Sequence, residues 1–270
     1  MLLGGLRAPT DCLLYKEKLR FSYPAVPKGR PLVVLHGWGT DSHFTQPIAS
    51  LFPERPVILL DMPGYGINAN YPHCCEDFEE LAHTLCISLP EGCDLMSWSL
   101  SSLVAIRCCK LHPEHFKSLV TVCGTPFFPE AEDWPGFSKA MIEKIEKNFT
   151  RTRAAHLLNL FFSMQCLSAS NTLSVKTFIK ESSVPQKKTK YETLKAGLQQ
   201  MAGIDERHDL QALKIPCLHL FGELDRLIPA ALAEKISFNL NHQTFVFKNS
   251  AHMPYLTEPK LFAQVVRNFL

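Results

Sequence analysis

Short runs of mostly apolar residues recur along the chain, and each run ends at a glycine, a proline or a polar residue. Such runs are typical of strands that are buried on both faces of a parallel sheet. They predict strands within 31–39, 55–66, 93–99, 116–126, 215–225 and 242–252. The stretches between them have helical character, most clearly 76–89 and 101–112. Strands that alternate with helices predict an α/β protein with a doubly wound, mainly parallel sheet.

Residues 127–209 interrupt this alternation, because they have helical character, a break near Pro185 and no strand pattern. We therefore expect a helical lid at 127–209, inserted into a core that is formed by 1–126 and 210–270. The first thirty residues, with Pro24, Pro27 and Gly29, predict an irregular or β-hairpin lead-in.

The composition is that of a globular protein, with 46% hydrophobic and 20% charged residues in a chain of 270. A formal net charge of +2 gives no indication of a nucleic-acid partner. No apolar run approaches the roughly 18 residues that a membrane span needs. The N-terminus lacks the pattern of a signal peptide. We expect a cytoplasmic monomer.

The chain has ten cysteines without a C-x-x-C pair, and its histidines form no H-x-x-x-H or H-E-x-x-H group. The spacings typical of zinc sites are therefore absent, and no metal site is predicted. In a cytosolic protein, we expect the cysteines to be reduced, mostly buried and packed as small hydrophobic residues. A secreted disulfide framework is the alternative.

The predicted lid is basic, because 139–195 carries eleven Lys and Arg against four Glu, a net charge of +7. The rest of the chain then carries a net charge of −5. Two interpretations of the lid charge stay open at this point. The residues form either a solvated polar face or a docking surface for an acidic partner.

Three residues with the chemistry of a serine hydrolase follow predicted strands. Ser99 lies between a strand and a helix in S-W-S-L-S, Asp225 ends the stretch 215–225, and His252 ends the stretch 242–252. Nucleophilic catalysis at a serine needs a base and a carboxylate that orients the base. The chain order Ser, Asp, His is that of α/β-hydrolases. We therefore predict that Ser99, Asp225 and His252 form a catalytic triad.

The same chemistry needs N–H donors for the oxyanion that forms during the reaction. In this architecture, one donor belongs to the residue after the nucleophile, here Leu100, and the other to a loop after an early strand. The sequence L-H-G-W-G-T at 35–40 is such a loop, so the N–H of Trp38 is the predicted second donor.

Three other polar residues near these motifs have simpler interpretations. We expect His36 to hold the loop at 35–40 in place by hydrogen bonds. Asp61 lies in a P-G-x-G context, which predicts a role in forming a turn. Glu223 is the substitute for the triad acid if Asp225 faces away.

Several motifs carry a resemblance to a known family. They are H-G-W-G, D-x-P-G-x-G from Asp61 to Gly66, the W-S-L elbow, H-P-E-H-F-K-S-L-V-T-V, D-W-P-G at 133–136, F-G-E-L-D-R-L-I-P at 221–229 and A-H-M-P-Y-L-T-E-P. Together they resemble the α/β-hydrolase superfamily, and most closely its pimeloyl-[acyl-carrier protein] methyl ester esterases, which act in biotin synthesis. The resemblance covers about 30–268 and is loosest between about 140 and 210.

The resemblance implies specific roles for residues of this chain. The catalytic residues of the family fall on Ser99, Asp225 and His252, and its substrate-contacting Trp and Leu fall on Trp38 and Leu100. A segment of the lid that binds the acyl group falls on Phe161 to Gln165. Lid arginines that contact the acidic carrier protein have Arg151 as their counterpart, and we add Lys187 and Lys188 to this docking surface. The implied substrate is a carrier-linked methyl ester, and the implied reaction needs no metal or organic cofactor.

The chain departs from this family at the elbow itself. It has S-W-S-L-S-S where the family has G-W-S-L-G-G, and the elbow requires small residues because strand and helix pack closely there. A left-handed conformation at Ser97 or Ser101 would cost about 1–2 kcal/mol. We expect Ser99 to be functional but slower, with complete loss of activity as the alternative.

Two other functions are compatible with the same residues. One is a general short-chain carboxylesterase or a C–C bond hydrolase that uses the same triad with another acyl group. The other is a non-catalytic α/β-hydrolase-fold protein that binds a partner through its basic lid. Dehalogenases and epoxide hydrolases need an aspartate nucleophile at the elbow, so Ser99 argues against both.

Overall fold

A computed structural model describes residues 29–70, 77–166, 172–182 and 189–270. Within these ranges, a parallel sheet has the strand order β2-β1-β3-β4-β5-β6. Its strands are β1 (Leu32–Leu35), β2 (Val57–Leu60), β3 (Cys93–Trp98), β4 (Phe116–Val122), β5 (Cys217–Gly222) and β6 (His242–Phe247). Every strand lies inside a predicted range, so the prediction of a doubly wound parallel sheet is confirmed.

The helices of the described residues fall into three groups. The first group alternates with the early strands: α1 (Ser42–Leu51), α2 (Phe78–Ser88) and α3 (Ser101–Leu111). The second group lies between β4 and β5: α4 (Lys139–Asn148), α5 (Ala154–Cys166), α6 (Thr172–Ser182), α7 (Tyr191–Gly203) and α8 (Arg207–Ala212). The third group follows β5: α9 (Leu232–Ile236), α10 (Pro254–Thr257) and α11 (Pro259–Phe269).

The apolar strands separate two hydrophobic layers. In β1, Val33 and Leu35 belong to the core cluster that includes α2 and α3, while Leu32 and Val34 belong to the cluster that includes α1 and α11. All four side chains are fully buried. Successive side chains of a strand point to opposite faces, so a strand between two helical layers must be apolar at every position.

The strand order reverses between the neighbouring parallel strands β1 and β3. From β1 the chain continues to β2 on one side, and from β3 it continues to β4, β5 and β6 on the other side. In open α/β sheets, ligands bind outside the carboxyl ends of the strands at such a reversal. The loop after β1 and the turn after β3 meet there, and they carry Trp38 and Ser99.

Helices α4 to α8 lie between β4 and β5, in the segment for which the sequence predicted helical character. At the start of the segment, two isolated bridges join Pro129 to Phe137 and Ala131 to Trp134. The predicted lead-in before residue 29 and the predicted break near Pro185 lie outside the described residues.

Two further features of the described ranges bear on the predictions. Six cysteines are free and buried, as expected of thiols that pack as hydrophobic residues: Cys86, Cys93, Cys108, Cys109, Cys123 and Cys217. Within the same ranges, no helix combines the length and the apolar character needed to cross a membrane.

Candidate active site

Ser99 occupies the sharp turn between β3 and α3. Its φ angle is 62°, in the left-handed region that residues with a Cβ rarely adopt. The backbone N–H of Ser99 donates to the carbonyl of Val122 on β4 at 2.9 Å, and its own carbonyl accepts from the N–H of Ser102 at 3.0 Å. The turn is therefore held on both sides, as in the strained elbow of α/β-hydrolases.

The structure brings the three predicted triad residues together. The Oγ of Ser99 lies 2.9 Å from Nε2 of His252, and Nδ1 of His252 lies 2.7 Å from Oδ2 of Asp225. Ser99, His252 and Asp225 come from the ends of three different strands and are 2%, 0% and 9% exposed. This is the geometry in which a carboxylate orients a histidine that can take the serine proton.

Asp225 is the acid of this arrangement because its loop fixes the carboxylate toward His252. Oδ1 of Asp225 accepts from the N–H groups of Leu227 at 2.8 Å and Ile228 at 3.2 Å, which leaves Oδ2 for the histidine. Glu223, the predicted substitute, lies on the surface and pairs with Lys248 at 2.9 Å.

Two side chains hold the loop that carries His252, and the sequence did not single out either of them for this role. The indole N–H of Trp98 donates to the carbonyl of His252 at 2.9 Å. The thiol of Cys123 donates to the carbonyl of Ala251 at 3.6 Å. Cys123 has a φ of 45°, so a strained residue directly follows β4 as well as β3 beside the site.

Two backbone N–H groups are available for an oxyanion. Among the described residues, no acceptor is found for the N–H of Leu100 or of Trp38. The loop that carries Trp38 approaches the elbow so closely that a Cβ on Gly37 would lie 3.1 Å from Cβ of Ser99 and 3.3 Å from the carbonyl oxygen of Trp98. Glycine at position 37 therefore permits this approach.

His36 and Asp61 support that loop from outside the triad. Nε2 of His36 accepts from the N–H of Met62 at 2.9 Å, so Nδ1 carries the proton and donates to the carbonyl of Gly37 at 2.9 Å. Burial lowers the pKa of His36, which favours this neutral form. The carboxylate of Asp61 accepts from the N–H of Ser42 at 2.7 Å and of Ile67 at 2.9 Å.

The serines on either side of Ser99 are accommodated without left-handed backbone, which occurs at neither Ser97 nor Ser101. The hydroxyl of Ser97 lies 3.3 Å from that of Ser102. The hydroxyl of Ser101 lies 3.2 Å from the N–H of Trp98 and within 3.2 Å of the carbonyls of Leu35 and Trp98. Ser101 thus links β1 to the elbow.

An apolar cavity of about 160 Å³ lies between the core and the inserted helices. Trp38 from the β1 loop and Leu227 from the Asp225 loop form its core side. The inserted segment supplies the rest of its lining: Phe137, Met141, Ile145, Phe149, Leu157, Leu160, Phe161, Met164, Leu198 and Met201. A chamber with this lining suits a hydrocarbon chain.

Helix α7 is anchored over this site through Trp38. The indole N–H of Trp38 donates to the carbonyl of Leu194 at 2.8 Å. A Cβ on Gly197, one turn further along α7, would lie 2.4 Å from Cδ1 of Trp38, so only glycine allows this approach. The residue that the sequence predicted as a substrate contact therefore also positions the inserted helices.

The predicted lid residues have different positions. Phe161 lines the cavity and packs edge-on against Trp38, with ring centroids 5.1 Å apart. Gln165 is buried one turn further along α5, outside the cavity lining, and its Oε1 has no hydrogen-bond partner among the described residues. Arg151 is exposed, pairs with Glu192 and lies over the ring of Tyr191 at 4.9 Å.

Two predicted docking residues, Lys187 and Lys188, lie outside the described residues.

The arrangement as a whole can perform nucleophilic acyl transfer. A buried serine contacts a histidine, the histidine contacts a carboxylate, and N–H donors and an apolar chamber lie beside them. The sequence could suggest the contact between Ser99, His252 and Asp225 because each of them follows a strand. It did not reveal the indole of Trp98, the thiol of Cys123 or the hydroxyl of Ser101, since no local pattern marks contacts between distant loops.

Comparison with known proteins identifies the class to which this geometry belongs. The α/β hydrolase fold family matches residues 30–259, so the chain belongs to the α/β-hydrolases. Among solved structures, a bromoperoxidase from Bacillus anthracis covers 90% of this chain and 92% of its own at 20% identity, with a TM-score of 0.80. An esterase from Exiguobacterium antarcticum has the same coverage at 19% identity, with a TM-score of 0.77.

More similar sequences point to one group within that class. The pimeloyl-[acyl-carrier protein] methyl ester esterase of Wigglesworthia glossinidia brevipalpis is 30% identical, over 88% of this chain and 93% of its own. The protein of the same name from Vibrio parahaemolyticus is 32% identical, over 90% of this chain and 94% of its own. The resemblance to these esterases that the motifs predicted is confirmed.

Proposed function

We propose that this protein hydrolyses the methyl ester of pimeloyl-acyl carrier protein to methanol and the free carrier-linked acid, with Ser99 as nucleophile. That it is an ester hydrolase follows from its fold and its esterase relatives. The observation that carries the mechanism is the contact chain from Ser99 through His252 to Asp225, at 2.9 Å and 2.7 Å.

In the proposed reaction, Nε2 of His252 takes the proton of Ser99 as Oγ attacks the ester carbonyl. The N–H groups of Leu100 and Trp38 bind the oxyanion of the tetrahedral intermediate. The intermediate collapses, His252 protonates the leaving methoxide, and methanol departs. Water then attacks the acyl-enzyme with His252 as base, and Ser99 is regenerated. Asp225 holds the His252 tautomer throughout.

The apolar cavity supports the choice of an acyl chain that ends in an ester. The described residues of its lining include no charged group, so a free carboxylate in the cavity would lose its hydration without gaining a partner. A methyl ester is neutral and enters at lower cost. The cavity reaches Trp38 and Leu227, which belong to the loops that carry the oxyanion donor and the triad acid.

The experiment for this proposal compares three esters by methanol or alcohol release. They are the carrier-linked methyl ester, the same ester on pantetheine alone, and a short-chain aryl ester. We expect the highest kcat/KM for the carrier-linked ester, its loss in Ser99→Ala, and its retention in the matched variant Ser102→Ala. A preference for the aryl ester would instead favour the general carboxylesterase, and no turnover of any ester by folded protein would favour the binding protein.

Recognition of the carrier is assigned to the basic inserted segment, and a carrier-linked substrate is consistent with a cytoplasmic enzyme. Arg151 is held by Glu192 and Tyr191, so its guanidinium is presented in a fixed position on the surface. We expect Arg151→Gln with Lys187→Gln and Lys188→Gln to raise KM for the carrier-linked ester and to leave the pantetheine ester unaffected. Lys235→Gln, at an exposed lysine outside 139–195, is the matched control. An unchanged KM at low salt would contradict docking at this surface.

A further inference from the structure

A second cluster of reactive side chains lies at the other end of the sheet. Cys217 and His219 are two residues apart on β5, and His242 stands opposite Cys217 on β6 in the strand register. One ligand atom from each of the three residues lies within 4.8 Å of the other two. The cluster occupies the first residues of these strands, whereas Asp225 and His252 follow their last residues.

We propose that Cys217, His219 and His242 form a binding site for a zinc-like transition metal ion. A thiolate and two imidazoles are ligands that zinc prefers, and a fourth position of a tetrahedral ion remains for solvent. Cys217 and His219 are fully buried, and His242 is 5% exposed, so an ion would reach the site from the His242 side.

The distances require little rearrangement. Nε2 of His219 lies 3.1 Å from Nδ1 of His242. Two imidazoles on one tetrahedral zinc ion at bonds of about 2.0–2.1 Å have ligand nitrogens about 3.3 Å apart. The two nitrogens now share a hydrogen bond between nearly parallel rings, at 6°, and an ion would take the place of its proton.

The hydroxyl of Thr121 orients one of the three ligands. Nδ1 of His219 lies 2.8 Å from the hydroxyl of Thr121, which can hold the proton there and leave Nε2 as the ligand atom. A thiolate is the ligand form of cysteine, so metal binding at Cys217 must displace the thiol proton to solvent.

The thiol of Cys217 is weakly held without a ligand. Among the described residues, its acceptor is the carbonyl of Ile215 at 3.4 Å. No local sequence pattern marks this cluster, because its histidines are 23 residues apart and meet through strand pairing.

The test is titration of the full-length protein with Co²⁺, which reports thiolate ligation as a charge-transfer band. We expect one equivalent of Co²⁺ to produce the band, Zn²⁺ to remove it by competition, and Cys217→Ala and His242→Gln to abolish it. Thr121→Val should weaken binding by about 10- to 100-fold, because it removes the partner of His219. Circular dichroism and Tm verify that each variant is folded.

Cys123→Ala is the matched control, because Cys123, Asp225 and His252 form the other group with ligand atoms within 4.8 Å. The proposal requires the band to persist in Cys123→Ala. Absence of the band in the parent protein, or a band that survives in folded Cys217→Ala and His242→Gln, would overturn the proposal. A band lost only in Cys123→Ala would place the ion at the triad and overturn it too.

Discussion

The backbone of Ser99 is strained, and this strained turn positions its side chain. Its φ of 62° costs about 1–2 kcal/mol for a residue with a Cβ. In return, the turn directs Oγ to within 2.9 Å of His252. The serines at 97 and 101 carry none of this strain. With serine at 97 and 101, Ser99 therefore still adopts the left-handed turn of the elbow.

The hydroxyl of Ser101 stabilises the elbow, and substitutions at this position can measure that contribution. Its hydroxyl accepts the N–H of Trp98, which lies beyond the end of β1 and has no ladder partner there. We expect Ser101→Ala to lower the free energy of unfolding by about 1 kcal/mol and to reduce kcat, because the elbow loses its link to Leu35. Ser101→Gly should lose about 0.5–1 kcal/mol more, since glycine weakens a helix.

Chemical denaturation and steady-state kinetics check this pair of variants. The two substitutions separate the loss of the hydroxyl from the change in helix propensity. A Ser101→Gly variant that is faster and at least as stable as the parent would show that serine at this position only slows the enzyme.

At the scale of the elements, the sheet and the meeting of Ser99, Asp225 and His252 could be predicted from the sequence for one reason. Uniformly apolar strands and the residues directly after them are local patterns, and parallel strands bring their carboxyl ends to one edge. The packing of α7 on Trp38 was not predictable in this way. It depends on Gly197 and on the carbonyl of Leu194, which lie more than 150 residues away in sequence from the indole that they contact.

Helix α7 should set the position of the loop at 35–40, which carries Trp38, and a substitution at Gly197 tests this. A side chain at 197 would collide with Trp38, where even a Cβ lies 2.4 Å from Cδ1. We expect Gly197→Val to lower kcat/KM by about 10- to 100-fold, because displacement of the loop moves the oxyanion donor. Gly203→Ala is the matched control, since a Cβ there meets nothing within 4 Å. Equal activity of both variants would separate α7 from catalysis.

At the scale of the whole molecule, the site lies at the boundary between two differently charged parts. The segment 139–195 carries a net charge of +7, and the rest of the chain carries −5. The cavity between these two parts is lined by apolar side chains. The lysines and arginines of this segment that the structure describes are exposed, so their charge is at the surface, apart from the buried cavity.

The stability of the molecule should fall on mild acidification through His36. Burial depresses its folded-state pKa below the usual 6.5, although Asp61 and Asp41 partly oppose the shift. Between these two pKa values, the unfolded chain binds more protons, so stability decreases as pH falls below about 6.5. His36→Gln keeps an acceptor for Met62 but does not titrate. We expect its acid-side loss of stability to be shallower by up to about one proton.

Urea denaturation between pH 7 and pH 5 measures this slope. His208→Gln, on the exposed surface, is the matched control for loss of a histidine. If the free energy of unfolding of His36→Gln falls with pH as steeply as that of the parent, His36 is not a buried neutral residue that supports the loop at 35–40.

The central claim is that Ser99 is an activated nucleophile, and labelling with a fluorophosphonate followed by mass spectrometry tests it most directly. The account predicts one adduct on Ser99, none in Ser99→Ala, and a rate of labelling in His252→Ala reduced by at least about 10³-fold. Ser102→Ala should label like the parent. No adduct on correctly folded protein, or equal labelling of His252→Ala, would contradict the account.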